Sequence, residues 1–161
     1  MSLRISLKPH ERMILGGVVI HNGPNKADFV VENKVPVLRQ KNILSSGEAD
    51  TPAKRIYFVI QLMYVDSGNI VAHHKLYWEL VRDFISAAPS SLNIIDQVNE
   101  CIVQDRYYDA LKLARNLINF EQEISERAKQ CCQGLSNGAQ GDHVWTRDRS
   151  TRADAGSPQA H

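Results

Sequence analysis

No apolar run in this chain approaches the ~20 residues that a helix needs to cross a bilayer, so no segment is expected to span a membrane. Cysteine is scarce: three residues, an odd count, with no Cys-x-x-Cys. Cys101 stands alone in a helical pattern and Cys131 and Cys132 are adjacent. That usage is not a disulfide framework and reads as reduced thiols. The opening Met1-Ser2-Leu3-Arg4-Ile5-Ser6-Leu7-Lys8 has no apolar leader core, and the expected location is the cytoplasm. Catalytic signatures are missing as well: there is no Gly-x-x-x-x-Gly-Lys-Ser/Thr, no Gly-x-Ser-x-Gly and no His-Glu-x-x-His. His73 and His74 are neighbours and diverge by about 100° on a helix, which does not let them grip one metal. An enzyme, a cofactor and a metal are therefore not expected.

Charge of one sign is not in excess either. The chain carries 19 Lys/Arg against 18 Asp/Glu, a net +1, which alone argues neither for nor against nucleic acid. The distribution is less even. Residues 1–66 hold nine Lys/Arg against six Asp/Glu, a balance of +3, while residues 67–130 hold seven against nine, a balance of −2.

What is present changes period near residue 66. Before it, short alternating runs predict strands. Arg4 to Leu7 is the first, Arg12 to Ile20 a second strand bent or bulged at Gly16-Gly17, and Phe29 to Val31 and Val35 to Leu38 complete one small antiparallel sheet. Asn22-Gly23-Pro24-Asn25 is a turn cluster, and Pro36 belongs on an edge strand. Thr51-Pro52 then starts a helix sharply: Thr51 accepts from free backbone N–H groups and Pro52 has no N–H to lose. Ile56, Val59, Ile60 and Met63 share its apolar face. Beyond Gly68 the period is helical. One stripe runs from Ile70 to Ile85 and ends at Pro89; Ser91 caps a second helix, with Ile95, Val98 and Ile102. A third runs from about Tyr107, with Leu111, Ala114, Leu117 and Ile124. The fold class is α+β: a small N-terminal antiparallel sheet, a capped helix, a C-terminal helical hairpin or bundle and a disordered tail. The expected divisions are 1–66, 67–132 and a tail over 133–161.

Two groups of residues are candidates for function. Arg4, Lys8, Arg12, Arg39 and Lys41 lie in the sheet half, with Lys41 expected on the same side of a strand as Arg39. Lys54 and Arg55 lie in the first turns of the capped helix. Guanidinium groups donate bidentately to phosphate and stack on bases, and a helix N-terminus favours an anion. The same residues also serve as solubilising or edge-protecting charges and as an ordinary exposed helix face. Tyr107, Tyr108 and Leu111 begin the last helix and offer an amphipathic surface to a protein partner.

The block from Thr51 to Tyr64, with Leu7-Lys8-Pro9-His10-Glu11-Arg12, Gly17-Val18-Val19-Ile20, Asn22-Gly23, Val37-Leu38-Arg39-Gln40 and Tyr107-Tyr108-Asp109-Ala110-Leu111, resembles the flagellar biosynthesis repressor family FlbT from about Leu3 to about Phe120. The resemblance implies Gly where His10 stands and Glu where Gln40 stands. It further implies a post-transcriptional regulator that associates with the 5′ untranslated leader of flagellin messenger RNA. Members are described as promoting decay of that message, others as supporting flagellin synthesis. FlaF is the usual functional counterpart, and flagellin itself is the other protein partner to expect. Either protein, bound on the helical half, offers an adaptor or chaperone-like alternative in which effects on RNA are indirect; a homo-oligomer is left open. A shorter likeness is that of Val35-Pro36-Val37-Leu38-Arg39-Gln40-Lys41-Asn42-Ile43 to the Val-x-Val-x-Arg-x-x-Ile strand end of the carbon storage regulators. It implies an RNA surface at Arg39 with Arg4 opposite.

Overall fold

The structure, a computed structural model, describes residues 2–136. Among the described residues, those up to Glu126 form one compact unit, and those from Arg127 belong to another. Five strands come first: β1 (Leu3–Leu7), β2 (Arg12–Leu15), β3 (Val18–His21), β4 (Ala27–Val31) and β5 (Val37–Arg39). Among the described residues four helices follow: α1 (Pro52–Val65), α2 (Ile70–Ala87), α3 (Leu92–Val103) and α4 (Tyr107–Ser136). The α+β expectation holds. The last helix runs on to Ser136, past residue 133 where a tail was expected, and positions 137–161 lie outside the described residues. Among the described residues no helix is long and apolar enough to cross a membrane.

The strands make two sheets where one was expected. β1 pairs antiparallel with β4, and a second sheet has the order β3-β2-β5. The segment from Arg12 to His21 is a hairpin and not one bent strand. Gly16 and Gly17 both take positive φ (57° and 85°), the type I′ pattern that reverses a chain in two residues. A side chain at Gly17 would also meet the Val65 carbonyl oxygen at 3.1 Å, so two separate constraints keep glycine there. His10 sits at φ 59°, backbone that favours glycine.

Alternation along β2 sends its side chains into two cores. Met13 packs with Ile5 and Leu7 in a small cluster under the sheets. Ile14 and Leu38 face the larger core formed by the helices. There α1 buries Ala53, Ile56, Tyr57, Val59, Ile60, Gln61 and Met63, a face wide enough to be contacted from several sides. Polar ties then fix the sheet to α1. The Tyr64 hydroxyl accepts from the Val37 N–H at 3.1 Å, and the Tyr57 hydroxyl donates to the Asn42 carbonyl at 2.7 Å.

The start of α1 follows the sequence reading. Thr51 Oγ1 accepts from the Lys54 N–H at 3.3 Å, with Pro52 in the first turn. Glu121 of α4 adds what the sequence did not reveal: one carboxylate oxygen accepts from the Thr51 hydroxyl and the other from the Ala53 N–H at 3.1 Å. Thr51→Ala is expected to lower stability by about 1–2 kcal/mol in urea unfolding, with Thr51→Ser close to wild type. A loss under ~0.3 kcal/mol would show that the cap carries no such weight. Ser91 does not cap α3. It is fully buried, makes no cap hydrogen bond, and donates instead to the Ala88 carbonyl at 2.7 Å, closing the short 3₁₀ turn before the helix.

Candidate nucleic-acid interface

The sheet surface is organised by two turns that brace each other. The Lys8 N–H donates to a Glu11 carboxylate oxygen at 2.9 Å, and the Glu11 N–H returns to the Lys8 carbonyl at 3.1 Å. From the neighbouring turn, Asn22 Nδ2 donates to the Lys8 carbonyl at 2.7 Å and to the Asn25 carbonyl at 2.9 Å. The His10 N–H reaches the Gly23 carbonyl at 3.0 Å. Backbone bonds thus fix the position of Lys8, and its ammonium group has no fold-holding bond of its own among those described.

Beside these turns lies a shallow groove of about 930 Å³, lined by Lys8, His10, Lys26, Arg39 and Lys41, with Glu11 the carboxylate in its wall. A second groove of about 600 Å³ is lined by Arg4, Val37, Tyr64 and Tyr108. Ser6 and Arg39 line both, so the two grooves adjoin at these residues. Arg39 Nη2 donates to the Ser6 carbonyl and its Nε lies 3.9 Å from Glu11, so the guanidinium links β5 to β1 at the junction. Counted over both grooves, five Lys/Arg face one Glu, a local balance of +4 in a chain of net +1. Charge focused in a concave surface in this way attracts an extended polyanion.

The basic residues expected from sequence divide accordingly. Arg4, Lys8, Arg39 and Lys41 come together at the grooves. Lys41 does so by a different route from the one expected: β5 ends at Arg39, and Gln40–Asn42 is a 3₁₀ turn, not a continuation of the strand. Arg12 is exposed but lines neither groove, and its backbone N–H donates to Gln40 Oε1 at 2.7 Å. Lys54 pairs with Asp50 at 2.7 Å, and this hydrogen bond is the main cause that holds the Asp50 carboxyl below its ordinary range. Arg55 lines a separate, mostly apolar hollow of about 260 Å³ with Pro52, Leu80, Phe84, Phe120 and Ile124. Lys26 was missed. The β1–β4 register, which sets Leu7 opposite Ala27, puts it beside Lys8, and no residue-type signal marked it beforehand.

The three residues expected to bind a partner do not form one face. Leu111 is buried in the helical core. The Tyr107 hydroxyl donates to Asp105 at 2.9 Å and lies 3.2 Å from His74 Nε2; burial, then the Asp105 carboxylate, pushes its phenol pKa up. Tyr108 is exposed and belongs to the second groove. His73 turns away from His74 to Asp66, at 3.1 Å.

These features define a small α+β protein carrying a braced, basic double groove on its sheet face. The family model described as flagellar protein FlbT matches residues 3–125, and the chain belongs to that family. The probable flagellum biosynthesis repressor protein FlbT 1 of Bradyrhizobium diazoefficiens is 43% identical over 125 residues, covering 77% of this chain and 85% of that protein. A probable flagellum biosynthesis repressor protein FlbT of Rhodopseudomonas palustris is 38% identical over 127 residues, 79% of this chain and all of its own length. The flagellum biosynthesis repressor protein FlbT of Caulobacter vibrioides is 32% identical over 140 residues, 86% of this chain and 97% of its own. No solved structure matches.

Proposed function

We propose that this protein represses flagellum biosynthesis in the cytoplasm, after transcription, by associating with the 5′ untranslated leader of flagellin messenger RNA at the double groove. The repressor role is supported by family membership and by the names of the relatives. One observation carries the RNA step: Arg4, Lys8, Lys26, Arg39 and Lys41 line two adjoining grooves of a nearly neutral chain. Ammonium and guanidinium groups so arranged neutralise successive phosphates and release counterions, which supplies affinity without any chemistry on the message. Covering or exposing the leader is enough to change its decay or translation by other machinery.

The test is a gel-shift titration of the purified protein against the flagellin leader at two salt concentrations, beside Arg39→Ala. Binding that weakens at higher salt and again with the substitution is the expected result. No shift by the wild-type protein would remove direct RNA association. A second reading, an adaptor for flagellin or FlaF, is favoured by the apolar hollow between α1, α2 and α4. It predicts a salt-insensitive protein complex lost when Phe84 or Ile124 is changed.

A further inference from the structure

The second groove differs from the first in its walls. Alongside Arg4 and Arg39 stand the apolar side chains of Leu3, Ile5 and Val37 and two aromatic rings, Tyr64 and Tyr108. Tyr64 is locked: its hydroxyl accepts from the Val37 N–H at 3.1 Å and donates to the Val37 carbonyl at 3.4 Å. Its ring braces Tyr108, with centroids 5.7 Å apart and planes tilted by 43°. Tyr108 keeps 40% of its surface exposed although it stands at the start of a helix that packs the core. Lys112 lies 4.5 Å from the Tyr108 ring centroid, is itself exposed, and pairs with Asp109 at 3.1 Å. An exposed cation–π contact is weak, and stacking of a base on the same ring outweighs it.

We infer that the double groove takes RNA as a single strand, with phosphates along Lys8, Lys26, Arg39 and Lys41 and an unpaired base stacked on Tyr108. This rests on the RNA reading above and goes beyond it, since that reading does not distinguish single strand from duplex and gives Tyr108 no part in RNA. A cationic track joined to an aromatic platform is the arrangement that holds single strands, because every unpaired base has a π-face to offer. A duplex keeps those faces stacked inside and presents backbone and shallow groove edges, which leaves Tyr108 and its apolar surroundings with no partner. Arg39 lies in both grooves, where the backbone passes from one to the other.

The experiment measures fluorescence anisotropy with a labelled single-stranded leader segment and with the same segment annealed to its complement, for wild type, Tyr108→Ala and Tyr108→Phe. Wild type is expected to prefer the single strand. Tyr108→Ala is expected to weaken single-strand binding on the order of tenfold with an unchanged salt slope, because a stack and not a phosphate contact is lost. Tyr108→Phe, which keeps the ring, should bind as wild type, and unchanged melting of both variants would exclude misfolding. Equal affinity for both RNA forms, or unchanged binding by Tyr108→Ala, overturns the inference while the RNA reading stands. No RNA binding by wild type overturns both; loss of a flagellin or FlaF complex in Tyr108→Ala would then assign the ring to protein.

Discussion

Replacing Lys8, Lys26 and Lys41 together with alanine is expected to cut the salt dependence of leader binding by about two units of log K per unit of log salt. Each phosphate neutralised on a single strand contributes a slope of about −0.7, and three ammonium groups are removed. Extrapolated from 1 M salt to 0.1 M, that difference corresponds to about a hundredfold weaker binding. Stability should stay near wild type, because what these positions give the fold is backbone. The Lys8 N–H and carbonyl hold the turn, and the Lys41 carbonyl accepts from Arg115 at 3.0 Å. Among the described residues, the one ion pair these three lysines make is the exposed Lys26–Asp28 contact at 3.8 Å, the kind worth little. Arg39→Ala is a blunter instrument, since its guanidinium also ties β5 to the Ser6 carbonyl of β1 and loss of affinity there mixes with loss of position. An unchanged salt slope in the triple variant, measured by titration at four or five salt concentrations, would mean that the groove does not carry phosphates.

Gln61→Met is expected to lower folding stability by about 2–4 kcal/mol although it keeps size and removes no charge. Gln61 is 3% exposed on the core face of α1, and its amide serves one residue twice. Oε1 accepts from the Leu44 N–H at 2.8 Å and Nε2 donates to the Leu44 carbonyl at 2.9 Å. Methionine fills the same space and meets neither group, so a backbone donor and acceptor lose their partners together. The segment released follows directly on the 3₁₀ turn that carries Lys41, so RNA affinity should fall with stability. Urea unfolding with an unchanged m-value would measure the first effect. A change below ~0.5 kcal/mol would show that water replaces the amide at no cost, in which case the loop is not held through Gln61.

How far the sequence was legible depended on how local the governing chemistry is. Thr51-Pro52 announced α1 because a cap and a first-turn proline act within a few residues, and the apolar stripe of α2 follows from helical period alone. Gly16-Gly17 was ambiguous: two glycines permit a bulge or a two-residue reversal, and the choice lies with pairing of Leu15 against Val18. Ser91 has the right residue type before a helix, yet with its Cβ in the core its hydroxyl turns back to Ala88. Gln61 is the plainest missed sign, a lone amide on an apolar face, whose purpose becomes visible only when the loop at Leu44 is folded against it. The site divides in the same way. Arg4, Lys8, Arg39 and Lys41 were named from composition and resemblance. Their convergence, the addition of Lys26, and the separation of Arg12, Lys54 and Arg55 depend on strand register and loop closure, which residue type does not encode. Tyr108 was selected as part of a helical surface, and its place beside Arg4 comes from packing distant in sequence.

The most direct measurement is photo-cross-linking of the flagellin leader to the wild-type protein, with the attached peptides mapped by mass spectrometry. Adducts confined to residues 4–12, 26, 39–41 and 108 are the result the double groove predicts. Adducts on α2 and α3 that spare those positions, or efficient cross-linking that persists in the triple lysine variant, would contradict it.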